Sequence, residues 1–155
     1  MNMRAMLFAA LCCWFGCEEK SSTAPLDEPL NTQTHTESDV SWDEGRVIAR
    51  GITWNFLSLQ LGAKGDPVSV GKFGFTLVNN DSIDRRVSYD LHFVDANSRQ
   101  LAVALYPYVP VDSLPLIKRD SLLTVTGFFQ TSSLPSAAVA NSITRMKLFA
   151  TFFTP

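Results

Sequence analysis

Arg85-Arg86-Val87-Ser88-Tyr89-Asp90-Leu91-His92-Phe93-Val94-Asp95 is the stretch that decides how this chain is read. Val87, Tyr89, Leu91 and Phe93 are large and apolar, while Ser88, Asp90 and His92 between them are polar. Successive side chains of a β-strand point to opposite faces, so the alternation gathers the four large residues on one face. A helix would scatter them around its circumference. The stretch predicts a half-buried strand, and its neighbours should supply what covers it.

Working outward, Lys72 to Asn79 predicts a second strand with Phe73, Phe75 and Leu77 inward, and Asn79-Asn80-Asp81-Ser82 turns the chain into the first. Farther upstream, Arg46 to Leu61 places Ile48, Ile52, Trp54 and Phe56 on one parity and Leu57, Leu59 and Leu61 on the other. A parity change inside one extended run implies a bulge, or a strand that passes from one sheet to another. Gly62 to Gly71, with Gly65-Asp66-Pro67 inside it, is expected as a loop.

Downstream, Ala96-Asn97-Ser98 leads to a strand with Leu101, Val103 and Leu105 on one side. Tyr106 to Pro115 holds three prolines and cannot be an interior strand. Leu122 to Gln130 and Ile143 to Phe153 are strands apolar on both parities. Between them, Ser133 followed by Pro135 predicts the cap and first turn of a short helical turn reaching Ala140. About six or seven short strands with little helix describe an all-β fold, an antiparallel immunoglobulin-like β-sandwich.

The 155 residues allow one domain with an appendage. Apolar residues make up 46% and charged residues 18%, the balance of a globular chain. A net charge of -2 gives no electrostatic footprint for nucleic acid. The acidity is local: Glu18 to Val40 holds six acids and one base. That stretch is Ser, Thr, Pro and acid, with too little apolar surface to offset the entropy of ordering, and predicts a flexible tether spanning roughly 25 Å. His35, within it, is expected to be solvated. The division is then residues 1–16 as a signal peptide, 17–40 as tether, and 41–155 as the sandwich.

Little in the chain points to catalysis. Ser88, Asp90 and His92 are the residue types of a nucleophile, an orienting acid and a base. Neighbours on one strand face stand about 6.5 to 7 Å apart, whereas a triad needs contacts near 3 Å from different directions. No nucleophile elbow, phosphate-cradling glycine loop or paired-histidine metal motif is present. Asp81 with Asp84, or Asp95 with Asn97, could offer oxygen to calcium, but Asx residues at turns ordinarily bond their own backbone. The expectation is a protein with no catalytic residues, cofactor or metal. Arg85-Arg86 and Lys118-Arg119 are expected to serve solubility and edge protection.

Two features could bind a partner. Tyr106-Pro107-Tyr108-Val109-Pro110 sets two rings on a stiff segment, and amphipathic rings bind at low entropic cost. The pairs Phe128-Phe129 and Phe152-Phe153 each place one ring away from the core. Tyr106, Tyr108, Phe129 and Phe153 are therefore the candidate binding surface.

Residues 1–17 carry the first of two resemblances. Arg4 is a positive start, Ala5 to Phe15 an apolar core too short to span a bilayer, and Gly16-Cys17 a small residue before cysteine. This resembles the lipobox of bacterial lipoproteins. The resemblance implies diacylglyceryl transfer to the Cys17 sulfur, cleavage before it, and acylation of the new amine. The other cysteines, Cys12 and Cys13, lack a small residue before them, and none follows position 17. Glu18-Glu19-Lys20 resembles the acid-rich signals of some surface-exposed lipoproteins. The second resemblance is Leu91-His92-Phe93-Val94-Asp95, which is similar to the signature of FxLYD-type domains, small sandwiches of exported lipoproteins. It implies no catalytic residue.

Together these readings predict a non-catalytic lipoprotein of the bacterial envelope, most simply the outer membrane, that engages or supports an envelope protein. The alternative is a carbohydrate- or calcium-dependent surface adhesion module. Since two or more acyl chains make membrane attachment effectively permanent, Cys17→Ala should abolish labelling by a fatty-acid analogue and move the chain to the soluble fraction. Unchanged fractionation would count against the anchor.

Overall fold

A computed structural model describes residues 29–155. Cys17, the signal-like segment and the first part of the expected tether lie outside the described residues. The strands are β1 (His35–Thr36), β2 (Val40–Trp42), β3 (Val47–Leu61), β4 (Pro67–Asn79), β5 (Arg85–Val94), β6 (Gln100–Leu105), β7 (Leu116–Ile117), β8 (Ser121–Gln130) and β9 (Arg145–Phe153). One short helix, α1 (Ala137–Asn141), joins β8 to β9.

A strand has two edges, and register shows how these are used. In the first sheet β3 takes β4 along one edge and β1 and β2 in succession along the other, while β8 pairs with the far side of β4. In the second, β5 takes β9 along one edge and β6 and β7 along the other. All these pairings are antiparallel, and the two layers form the expected β-sandwich.

The alternation of β5 carries through to packing. Val87, Leu91 and Phe93 are buried and Tyr89 is half-buried, facing Trp54, Phe56, Phe73, Phe75 and Leu77 of the first sheet. Phe93 is the hub, with ring centroids 5.5 Å from Trp54, 5.6 Å from Phe56 and 4.8 Å from Phe129. Burying each such side chain contributes about 1.5–3 kcal/mol before entropy is counted.

β3 carries two bulges, one at the expected parity change, between Phe56 and Ser58, and one upstream of it. Val47 and Ala49 face the core, then Ile52, Trp54 and Phe56 do. The register slips between Arg50 and Thr53, where Gly51 adopts φ 60°, a left-handed conformation open to glycine. Ile48, expected inward, is therefore on the outer side and only half-buried. Strand β4 begins at Pro67, so the expected loop shrinks, and Gly71 lies inside a strand. A Cβ at Gly71 would overlap the Phe129 ring and the Asn55 carbonyl. This glycine marks a close approach, not a turn.

Both passages from sheet to sheet near β5 and β8 meet at Asn79, which is fully buried. Its Nδ2 donates to the carbonyls of Ile83 at 2.9 Å, Ile117 at 3.3 Å and Lys118 at 3.2 Å, and its Oδ1 accepts from the Asp81 N–H at 3.0 Å. Beside it the Arg85 guanidinium is held by Asp81, with Asp43 at 3.5 Å. Arg85 is thus a structural residue with a largely covered side chain, and Arg86 donates to the Leu114 carbonyl at 2.9 Å. Neither serves as the exposed edge protection expected of that pair.

The tether reading fails for residues 29–40. Leu30 and Val40 pack against the core, and the His35 ring stacks on Trp54 at 4.2 Å with 9° between planes. Glu37 explains why so polar a segment is ordered. Its Oε1 accepts from Trp54 Nε1 at 2.9 Å and from the Met146 N–H at 2.7 Å, while its own N–H donates to the Ile52 carbonyl at 2.9 Å. Polar residues are bound here by hydrogen bonds that hydropathy does not register. The helix also moves: Ser136, not Ser133, caps α1, its Oγ accepting from the Val139 N–H.

Glu37→Ala leaves two donors without their acceptor and should destabilise the fold by about 1–3 kcal/mol in chemical denaturation. A chain cut at Ser41 should lose more. Wild-type stability in both would return residues 29–40 to the tether.

Candidate functional surface

The segment from Tyr106 to Pro115 runs from β6 to β7 across the outer face of the second sheet. Its prolines keep it out of the ladder, and polar groups of β5 pin it down. Asp90 points outward and accepts from the Tyr106 N–H at 3.0 Å. At the far end, Arg86 holds the Leu114 carbonyl and the Val87 N–H donates to the Pro115 carbonyl at 3.0 Å. A 3-10 turn at Val111–Ser113 shapes the middle. Between segment and sheet lies a groove of about 400 Å³, lined by Ser88, Asp90, Leu105, Tyr108, Val111 and Phe153 among others.

The four candidate residues have separate fates. Tyr108 is 100% exposed, its ring clear of the body. Phe153 is half-buried and forms part of the groove wall. Tyr106 is also half-buried, with its ring folded against Tyr89 at 4.8 Å, so it closes the sandwich edge instead of presenting a platform. Phe129 is a correction. It is 6% exposed and packs on Phe93 and Phe56, and Phe128, 70% exposed, is the outward ring of that pair. A strand apolar on both parities does not reveal its inner face, and the inner parity here is Leu123, Val125, Gly127 and Phe129. Gly71 and Gly127, which leave room for rings, are the signal that could have identified it.

Leu105, Val111 and Phe149 were missed, and all are substantially exposed. Phe149 shares the outer parity of β9 with Lys147 and Thr151, and the register sets it beside Asp90, with Leu105 on the other side. The outer face of the second sheet is thus an apolar patch crossed by a polar row.

That row is occupied in three separate ways. Ser88 lines the groove, Asp90 anchors Tyr106, and His92 Nδ1 donates to Gln100 Oε1 at 2.6 Å with its ring 4.3 Å from Phe149. The three do not converge. The calcium candidates are likewise engaged. Asp81 accepts from the Ser82 N–H and from Arg85, Asp84 from the Arg119 N–H, and Asp95 from the Asn97 and Arg99 N–H groups. Among the described residues no three His, Cys, Asp or Glu side chains gather as a metal site.

A second concavity, about 570 Å³, lies on the outer face of the first sheet. Thr53, Asn55, Lys72, Gly74 and Thr126 surround the exposed Phe128 ring, and Lys72 Nζ sits 5.5 Å from that ring's centroid. No family model matches this chain, and neither curated proteins nor solved structures give a match.

Burial, with a smaller contribution from neighbouring Tyr106, pushes the Tyr89 hydroxyl up from 10.0 to about 12. The folded state then keeps a proton that the unfolded chain gives up, so stability should fall as pH rises from 10.0 towards 12. Tyr89→Phe should flatten that alkaline decline in melting temperature. An equal decline in both proteins would show that burial does not raise the Tyr89 hydroxyl.

Proposed function

We propose that this chain is a non-catalytic lipoprotein of the bacterial envelope, anchored through Cys17, whose sandwich engages an envelope protein through the outer face of the second sheet. The observation that carries the reading is the Tyr108 ring, fully exposed at a groove that Leu105 and Val111 also line, with Phe149 exposed beside Asp90 on the same sheet face. Exposed apolar residues gathered on one face, with polar groups among them, are the anatomy of an interaction surface. The separate engagements of Ser88, Asp90 and His92 support a binding role over a catalytic one. The anchor and envelope location rest on Gly16-Cys17 and the resemblances drawn from sequence.

A second reading, a carbohydrate-binding surface module, is favoured by Phe128. An open ring flanked by Asn55, Lys72 and threonines is suited to stack on a pyranose while polar groups bond its hydroxyls.

A photoreactive residue in place of Tyr108 should crosslink an envelope protein in living cells. Tyr108→Ala with Phe149→Ala should weaken that association by about 2 kcal/mol, roughly thirtyfold, with the melting temperature unchanged. A glycan that raises the melting temperature and loses this effect with Phe128→Ala would favour the second reading instead.

A further inference from the structure

The two sheets of the sandwich have four outer edges, and three are closed. The edge beyond β3 is filled by β1 and β2, only two and three residues long. The edge of β9 carries Arg145 and Lys147 and gives its Met146 N–H to Glu37. The edge of β6 is covered by the chain after β8: the Ser132 N–H donates to the Val103 carbonyl at 2.6 Å, and the Val103 N–H donates to Ser132 Oγ at 3.1 Å. Short strands, charges and covering loops are the devices by which proteins block edge-to-edge pairing.

The fourth edge has none of these. β8 runs ten residues, Ser121-Leu122-Leu123-Thr124-Val125-Thr126-Gly127-Phe128-Phe129-Gln130, without a charge or a proline. It pairs with β4 residue for residue from Val70–Gln130 to Asn79–Ser121, with no bulge to twist it away. Among the described residues β4 is the only strand paired with it. Its outer parity carries Leu122 and Phe128, 66% and 70% exposed.

We propose that the free edge of β8 pairs with the same edge of a second copy of this chain, antiparallel and centred on Val125, joining the two first sheets into one. With a second copy as partner, the exposed side chains set this register. Leu122 and Phe128 stand symmetrically about Val125, so a two-fold axis there sets each Leu122 directly opposite the Phe128 of its partner. The same axis pairs Thr124 with Thr126 twice, placing threonines opposite each other as cross-strand partners favour. An isologous contact of this kind closes on itself and builds no fibre. The area is adequate: ten residues span about 33 Å, and a two-layer edge about 20 Å wide gives roughly 650 Å² per partner, within the range of specific interfaces. This inference does not depend on the lipid anchor or on the surface around Tyr108.

Analytical sedimentation of the full chain in detergent tests it, with melting curves to confirm that each variant is folded. The wild-type chain should sediment as two copies. Thr124→Lys combined with Thr126→Lys places like charges opposite each other twice across the axis and should weaken the dimer on the order of tenfold. Thr124→Lys combined with Thr126→Glu makes the same contacts attractive and should restore it. If the double lysine variant fails to fold, Thr124→Glu with Thr126→Glu gives the same reading. A single copy at every concentration overturns the proposal. So does a dimer indifferent to the lysine pair, a loss that the lysine–glutamate pair does not repair, or a monomer that takes up an added extended peptide along β8.

Discussion

A buried carboxamide holds this sandwich in register. Each time the chain leaves one sheet for the other it exposes backbone carbonyls that no strand can use, and an unpaired buried carbonyl is costly. Two such passages, after β4 and before β8, come together at one end of the molecule. Asn79 sits between them and addresses carbonyls from both. Asparagine can do this because one short side chain carries both donors and an acceptor. The ion pair of Asp81 with Arg85 then braces the same corner. The hydrogen bond from Arg85 holds the Asp81 carboxyl below its ordinary value, so this brace survives to lower pH than an unpaired carboxylate would allow.

The other long-range constraint is Glu37. One carboxylate oxygen receives a donor from each sheet, the Trp54 indole and the Met146 backbone. It closes the sandwich on the side where β1 and β2 run beside β9, and the stacking of His35 on Trp54 covers the same seam. A segment with the composition of a linker is thereby made part of the body. Its order rests on a handful of directed bonds together with the packing of Leu30 and Val40.

Those two constraints mark the limit of what pattern could reveal. Alternation in β5 and in the second half of β4 was legible because one face of each is apolar and the other is not. The burial of Val87, Leu91, Phe93, Phe73, Phe75 and Leu77 follows directly. Strands with apolar residues on both parities were ambiguous, and Phe129 was assigned to the wrong face for that reason. Residues 29–40 were misread because a hydrogen bond to a residue far along the chain leaves no local trace. Of the proposed surface, Tyr108 was visible from its place between prolines. Leu105, Val111 and Phe149 needed the register that sets three separate segments side by side.

The hydrogen bonds between Asn141 and residues 29 and 31 fix the first described residues to the body. They lie near α1, at the end of the sandwich where Thr144 donates to the Val94 carbonyl. The Asn79 corner is at the opposite end, a full strand length away. The described chain therefore begins at one pole of the molecule. The turn at Ser82–Asp84 is the pole farthest from Pro29, and the Tyr108 groove and the β8 margin lie along the flanks between the two poles.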